Sequence, residues 1–190
     1  GVAPSGWTAT NLFTISWQQA PDAAGAYYAF VPPLSAADGL VVPGSTTCFG
    51  NCSAEITVPA EGLWDLYFWF EDAAGNNGWN APYHRAGAFG YDATPPTTVL
   101  TINGLAGREG WYTSSVQVTL TAEDVLSGIA RTSYRLRTPD MVWEPWTTYT
   151  GPVMLWQNGE TTIRYRSADE AGNEESYQET QIRIDTRPPI

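Results

Sequence analysis

The sequence predicts an all-β chain of two tandem antiparallel sandwich domains, and three observations predict it. A sixteen-residue stretch occurs twice. Residues 61–76 and 158–173 align without a gap and share Gly62/Gly159, Asp72/Asp169, Ala74/Ala171, Gly75/Gly172 and Asn76/Asn173. Short runs of alternating apolar and polar residues recur through both halves, separated by Gly, Pro and Asp turns, while long helical patterns are absent. Finally, 190 residues leave room for two domains, which the repeat places at 1–94 and 95–190.

In the first domain, Leu12–Trp17 alternates with Phe13, Ile15 and Trp17 on one face, the pattern of a half-buried strand. Asp22–Gly25 reads as an acidic turn, followed by an aromatic strand over Ala26–Val31. Residues 32–53 form a Pro/Gly/Ser-rich excursion, and Glu55–Val58 a short strand. The long strand of the repeated stretch turns Leu66, Phe68 and Phe70 to one side and Tyr67 and Trp69 to the other. A last strand over Ala86–Tyr91 closes the domain.

The second domain runs more regularly. Thr98–Ile102 is a strand, and Val116, Val118, Leu120 and Ala122 make one face of the next. Glu123–Gly128 is a turn matched with Asp22–Gly25, and Ile129–Leu136 a third strand. Trp143, Trp146 and Tyr149 surround a prolyl turn before a strand in Gly151–Leu155. Thr162–Ala168 is the repeated strand, and Gln178–Ile184 the last. Seven short strands over about 95 residues fit an immunoglobulin-like sandwich or its fibronectin type III relative, and the pattern leaves both topologies open.

Composition narrows the function. The net charge is −11 and the chain has no lysine. Residues 1–94 hold eight acids against Arg85 alone, and residues 95–190 twelve acids against eight arginines. Such a surface repels phosphate backbones and anionic lipid, which excludes nucleic acid as a partner. No apolar run reaches membrane-spanning length, so membrane insertion is not expected. Cys48 and Cys52 flank a Phe-Gly-Asn turn, spacing that suits a small disulfide loop worth about 2 kcal/mol; two sulfurs without a nearby histidine make a poor zinc site. A disulfide implies an oxidising, extracellular setting. Because the chain opens on Gly1 and closes on a second Asp-Thr-Arg-Pro-Pro junction, it is expected to be a segment of a longer protein with a further module behind it.

The second domain carries Trp111-Tyr112-Thr113, Asp124-Val125-Leu126-Ser127-Gly128-Ile129, Tyr149-Thr150-Gly151-Pro152, Tyr165-Arg166-Ser167-Ala168-Asp169 and Ala171-Gly172-Asn173. Over essentially all of residues 95–190 it resembles the bacterial Ig-like repeats found in tandem on secreted and cell-surface proteins. The first domain keeps the repeated strand and its turn, but carries the cysteine loop where a short connection is expected, and is partly fibronectin-like. The resemblance implies a spacer, adhesive or accessory module without catalysis. Its partners would be other Ig-like repeats of the same chain and a protein or polysaccharide ligand.

The residues offer little catalytic chemistry. His84 stands alone in a loop beside Arg85, and the neighbouring pairs Glu71/Asp72 and Asp169/Glu170 diverge on strand ends instead of flanking a substrate. The acidic turns are the stronger candidates. In a sandwich, the loops holding Asp124 and Asp169 lie at one end, beside the linker that follows Asp92. Converging carboxylates suit Ca²⁺, which takes six to eight oxygens. The expected interdomain site is Asp92, Asp124 and Asp169, with Glu123 and Glu170 as further ligands and Asp22 and Asp72 as a second site. The same residues also serve as plain Asx turns, which require no metal. Tyr67 and Trp69, with Trp7, Trp79 and Tyr83 in loops, are candidates for a sugar-binding aromatic surface, unless residues 32–53 fold over them. Asn51-Cys52-Ser53 matches a glycosylation sequon and carries little weight.

The sequence thus predicts a non-catalytic, extracellular structural or adhesive tandem module. Its alternatives are a carbohydrate-binding accessory module of a secreted hydrolase and a self-assembling filament subunit with pairing strand edges.

Overall fold

A computed structural model describes residues 6–79, 83–138 and 142–188. Pro189, the second proline of the closing pair, lies outside them. The chain divides into two compact units, Gly1–Ala93 and Thr94–Ile190. Both are antiparallel β-sandwiches of the immunoglobulin and fibronectin III kind.

The first unit contains β1 (Trp7–Thr8), β2 (Phe13–Gln18), β3 (Ala23–Ala29), β4 (Leu40–Val41), β5 (Asn51–Ile56), β6 (Gly62–Asp72) and β7 (His84–Tyr91). Strands β2 and β5 pair as one sheet; the other runs β1-β7-β6-β3-β4, with β1 parallel to β7. The alternation in β2 works as the sequence suggests. Phe13, Ile15 and Trp17 are buried and their neighbours exposed. They meet Leu66, Phe68 and Phe89 across the sandwich, and the Phe13 and Phe89 rings pack edge to face at 5.2 Å.

Three expectations shift. The acidic turn ends at Asp22, because β3 begins at Ala23 and takes in Ala23–Gly25 through a register shift against β6. Residues 51–53 leave the loop and join β5, where Cys52 pairs with Trp17 and faces the core. His84 starts a strand instead of sitting in a loop. Cys48 and Cys52 form the disulfide, with Cα atoms 6.0 Å apart.

The second unit contains β8 (Thr97–Asn103), β9 (Trp111–Tyr112), β10 (Val116–Glu123), β11 (Ile129–Arg137), β12 (Thr147–Thr148), β13 (Val153–Leu155), β14 (Gly159–Asp169) and β15 (Gln178–Ile184). A three-stranded sheet, β13-β10-β8, faces a five-stranded one, β12-β11-β14-β15-β9, and β9 lies parallel to β15. Val116, Val118 and Leu120 from one sheet bury against Ile163, Tyr165, Ile182 and Ile184 from the other. A polar bridge also crosses the sandwich. The buried hydroxyls of Thr98 on β8 and Ser167 on β14 lie 2.6 Å apart, and the Ser167 amide donates to Glu175 at 2.8 Å. Buried polar groups stay cheap only when paired in this way.

The repeated strand is the centre of each unit. Leu66 and Ile163 are fully buried at matching positions, as are Phe68 and Tyr165 nearly so. No helix is long and apolar enough to cross a membrane among the described residues.

Candidate functional site

The two turns that close the repeated strands have the same construction. Asp72 accepts the amides of Ala74 and Asn76 and the side-chain amide of Asn76, all at 2.8–2.9 Å. Asp169 accepts the amide and side-chain amide of Asn173, both at 2.8 Å. Gly75 and Gly172 take φ of 85° and 95°, left-handed backbone that glycine adopts without strain. Hydrogen bonding by the Asn76 side chain, followed by its backbone amide, holds the Asp72 carboxyl below the usual carboxylate range.

The sign of that effect is testable. A carboxylate with a depressed folded pKa adds stability above its unfolded pKa and loses it as pH falls through the folded value. Acid unfolding of wild type should therefore include a contribution from Asp72 that Asp72→Asn lacks. Melting curves of the two proteins from neutral to acidic pH should converge as Asp72 protonates; parallel curves would contradict this.

Asp124 sits in the loop between β10 and β11. One carboxylate oxygen accepts the amides of Leu126 at 3.1 Å and Gly128 at 2.7 Å. The Glu170 amide donates to the Gly128 carbonyl at 3.0 Å, tying this loop to the Asp169 turn. Asp92 follows β7, and its amide bonds to the Thr8 carbonyl at 3.1 Å. Asp92 and Asp169 are almost wholly buried, at 0% and 2% exposure. Within the second unit, Asp124 and Asp169 each offer a carboxylate oxygen, and the two oxygens lie within 4.8 Å of one another. This pair could hold a metal ion, since hard cations take carboxylate oxygens at such convergences.

The other expected ligands fall outside it. Glu123 and Glu170 are exposed and do not join the pair. Asp22 is exposed at a short β2–β3 turn, and neither it nor Asp72 belongs to a cluster of three potential ligands among the described residues.

Tyr67 and Trp69 are not an exposed platform, which corrects that expectation. They are 8% and 1% exposed. The Trp69 ring stacks on Tyr27, Tyr83 packs edge-on against Tyr67, and Trp79 joins the cluster. The excursion closes over Trp69 at Gly39, where a Cβ atom would stand 2.3 Å from the ring. Trp7 lies in β1, packed on Gly90.

Sequence reasoning missed what covers the corresponding face of the second unit. Arg135 and Arg164 stand directly opposite one another on β11 and β14, a like-charge pairing that costs stability unless something intervenes. Trp143 intervenes, with the guanidinium of Arg135 at 4.7 Å and that of Arg164 at 4.2 Å from its ring. Trp146 takes Arg135 and Arg166 at 4.8 and 4.5 Å, while Glu174 and Glu179 pair with Arg166 and Arg164. Arginines two apart on each of two strands, with a Trp-x-x-Trp segment between them in the chain, are the signal that could have found it.

The fold and these sites define a class, a tandem immunoglobulin/fibronectin III-like β-sandwich protein. No family model matches the chain, and no curated protein matches it. Among solved structures it is similar to the fibronectin(III)-like modules of Clostridium thermocellum CbhA, at 16% identity and a TM-score of 0.40, covering 96% of this chain and 90% of that one. It is also similar to dimeric latent PorU from Porphyromonas gingivalis, at 11% identity and a TM-score of 0.30. That match covers 97% of this chain and 19% of PorU. At such values the fold assignment rests on the strand pairing itself.

Proposed function

We propose that this chain is a non-catalytic structural and adhesive segment of a secreted or surface protein, built from Ig-like units of the bacterial repeat type. Its partners are further Ig-like repeats of the parent chain and a protein or polysaccharide ligand. The disulfide supports an oxidising compartment.

We further infer that Ca²⁺ is bound by the carboxylates of Asp124 and Asp169. The observation that carries this reading is the approach of these two carboxylates within 4.8 Å, that of Asp169 buried. Carboxylates packed so closely repel one another and lose hydration, a cost that a divalent cation offsets. Ca²⁺ suits the site better than zinc because every side-chain donor is a hard oxygen.

Calcium that binds only the folded protein should raise its melting temperature, by the equivalent of about 2.7 kcal/mol at a hundredfold excess over Kd. The measurement is thermal unfolding in EDTA and in increasing CaCl₂, with Asp169→Asn expected to lose the response. An unchanged melting temperature across the titration sinks the calcium reading.

A further inference from the structure

Just beyond β13, Trp156 leaves 73% of its surface in solvent, beside a cleft of about 220 Å³. Leu136 and the buried Leu155 provide apolar wall, while Thr138, Glu144 and Gln157 bring hydrogen-bonding groups to the same space. Glu144 is placed there by backbone pairing: its amide donates to the Leu136 carbonyl at 2.8 Å, and its neighbour Trp143 bridges to Arg137. Among the described residues, none takes up the side chains of Thr138, Glu144 or Gln157 in a hydrogen bond.

A flat indole face beside unspent carboxylate, amide and hydroxyl groups suits a ligand that is apolar on one face and hydroxylated at its edge. A pyranose ring has that form: its C–H face lies on the aromatic ring and its hydroxyls pair with the polar groups. An aliphatic peptide side chain would fill the apolar part and leave Glu144 and Gln157 without partners. Glu144, within a chain of net charge −11, turns away anionic sugars. The volume is below the ~300 Å³ at which drug-sized pockets begin, which limits the occupant to one ring.

We propose that this cleft binds one neutral hexopyranose unit of a polysaccharide, stacked on Trp156 and hydrogen-bonded by Glu144 and Gln157. The proposal is independent of the calcium reading, since none of these residues is among its ligands.

The test titrates the ¹⁵N-labelled chain with cellohexaose, mannohexaose and chitohexaose, and with a sulfated heparin hexasaccharide for comparison. The indole N–H signal of Trp156 is identified by its loss in Trp156→Ala. At least one neutral oligosaccharide should shift that signal saturably. Trp156→Ala should weaken binding about tenfold, the loss of one stacked ring, and Glu144→Ala should weaken it as well. Both side chains are exposed, so the variants should melt like wild type. No shift with any neutral sugar, a response to the sulfated sugar alone, or wild-type affinity in Trp156→Ala would each overturn the proposal.

Discussion

Replacing Trp69 with alanine is expected to destabilise the first unit by about 3–5 kcal/mol, the range for removing a large buried aromatic ring. Its ring is 1% exposed and belongs to the small cluster outside the main core, formed with Tyr67, Ala29 and the partly buried Tyr27 and Trp79. Strand β6 is therefore buried on both sides. Leu66 and Phe68 look into the sandwich, while Tyr67 and Trp69 are buried on the other side, where Trp69 supports the excursion at Gly39. Removing the indole leaves a void beneath Gly39 and takes away the surface on which that segment rests. Chemical denaturation of Trp69→Ala against wild type measures the loss. A sugar-binding tryptophan on an open face behaves otherwise: its removal abolishes binding and hardly changes stability. A denaturation midpoint within error of wild type would therefore refute the covered-face account.

That contrast marks where the sequence stops being readable. Alternation in β2 and β10 is legible because each core side chain sits two residues from the next, and the pattern needs no partner to be recognised. Ala23, Ala24 and Gly25 carry no such pattern, and so a strand that includes them reads as part of a turn. Asn51–Ser53 has loop composition, yet its backbone completes the ladder with Ser16–Gln18. Tertiary pairing overrides local preference there.

The outer faces are harder still. Tyr67 and Trp69 correspond to Arg164 and Arg166 in the repeat, and both faces are covered by aromatic side chains from segments distant along the chain. Trp143 lies between arginines of two strands, eight positions after Arg135 and twenty-one before Arg164. The repeated stretch itself does not announce such contacts; the Trp-x-x-Trp segment does so for the second unit alone. The Asp124 and Asp169 turns are a different matter. Aspartate bonding the amide of a residue shortly after it is a local event, and glycine nearby supplies the positive φ that the turn needs. Their placement at one end of the sandwich follows once the fold is known, because β10–β11 and β14–β15 connections emerge on the same side. Whether calcium joins them is decided by titration and not by turn chemistry.

The second large effect concerns the inward half of the repeated strand. Ile163→Ala should cost the second unit about 2–5 kcal/mol, and Leu66→Ala should cost the first unit a similar amount. Both residues are fully buried, each surrounded by its own core: Leu66 with Phe13, Ile15 and Phe89, Ile163 with Val116, Val118 and Ile182. The two clusters share no residue, and the chain divides between Ala93 and Thr94 into units with their own sheets. Cooperativity follows the contacts that unfolding breaks, so separate cores predict separate transitions. In calorimetry, Ile163→Ala should lower one transition and leave the other in place, while Leu66→Ala does the reverse. A two-unit protein has no single free energy of unfolding, so each shift must be read on its own transition. If both substitutions lowered one common transition by the same amount, the units would be folding as a single body. The repeat would then describe an internal symmetry of one domain instead of two domains in tandem.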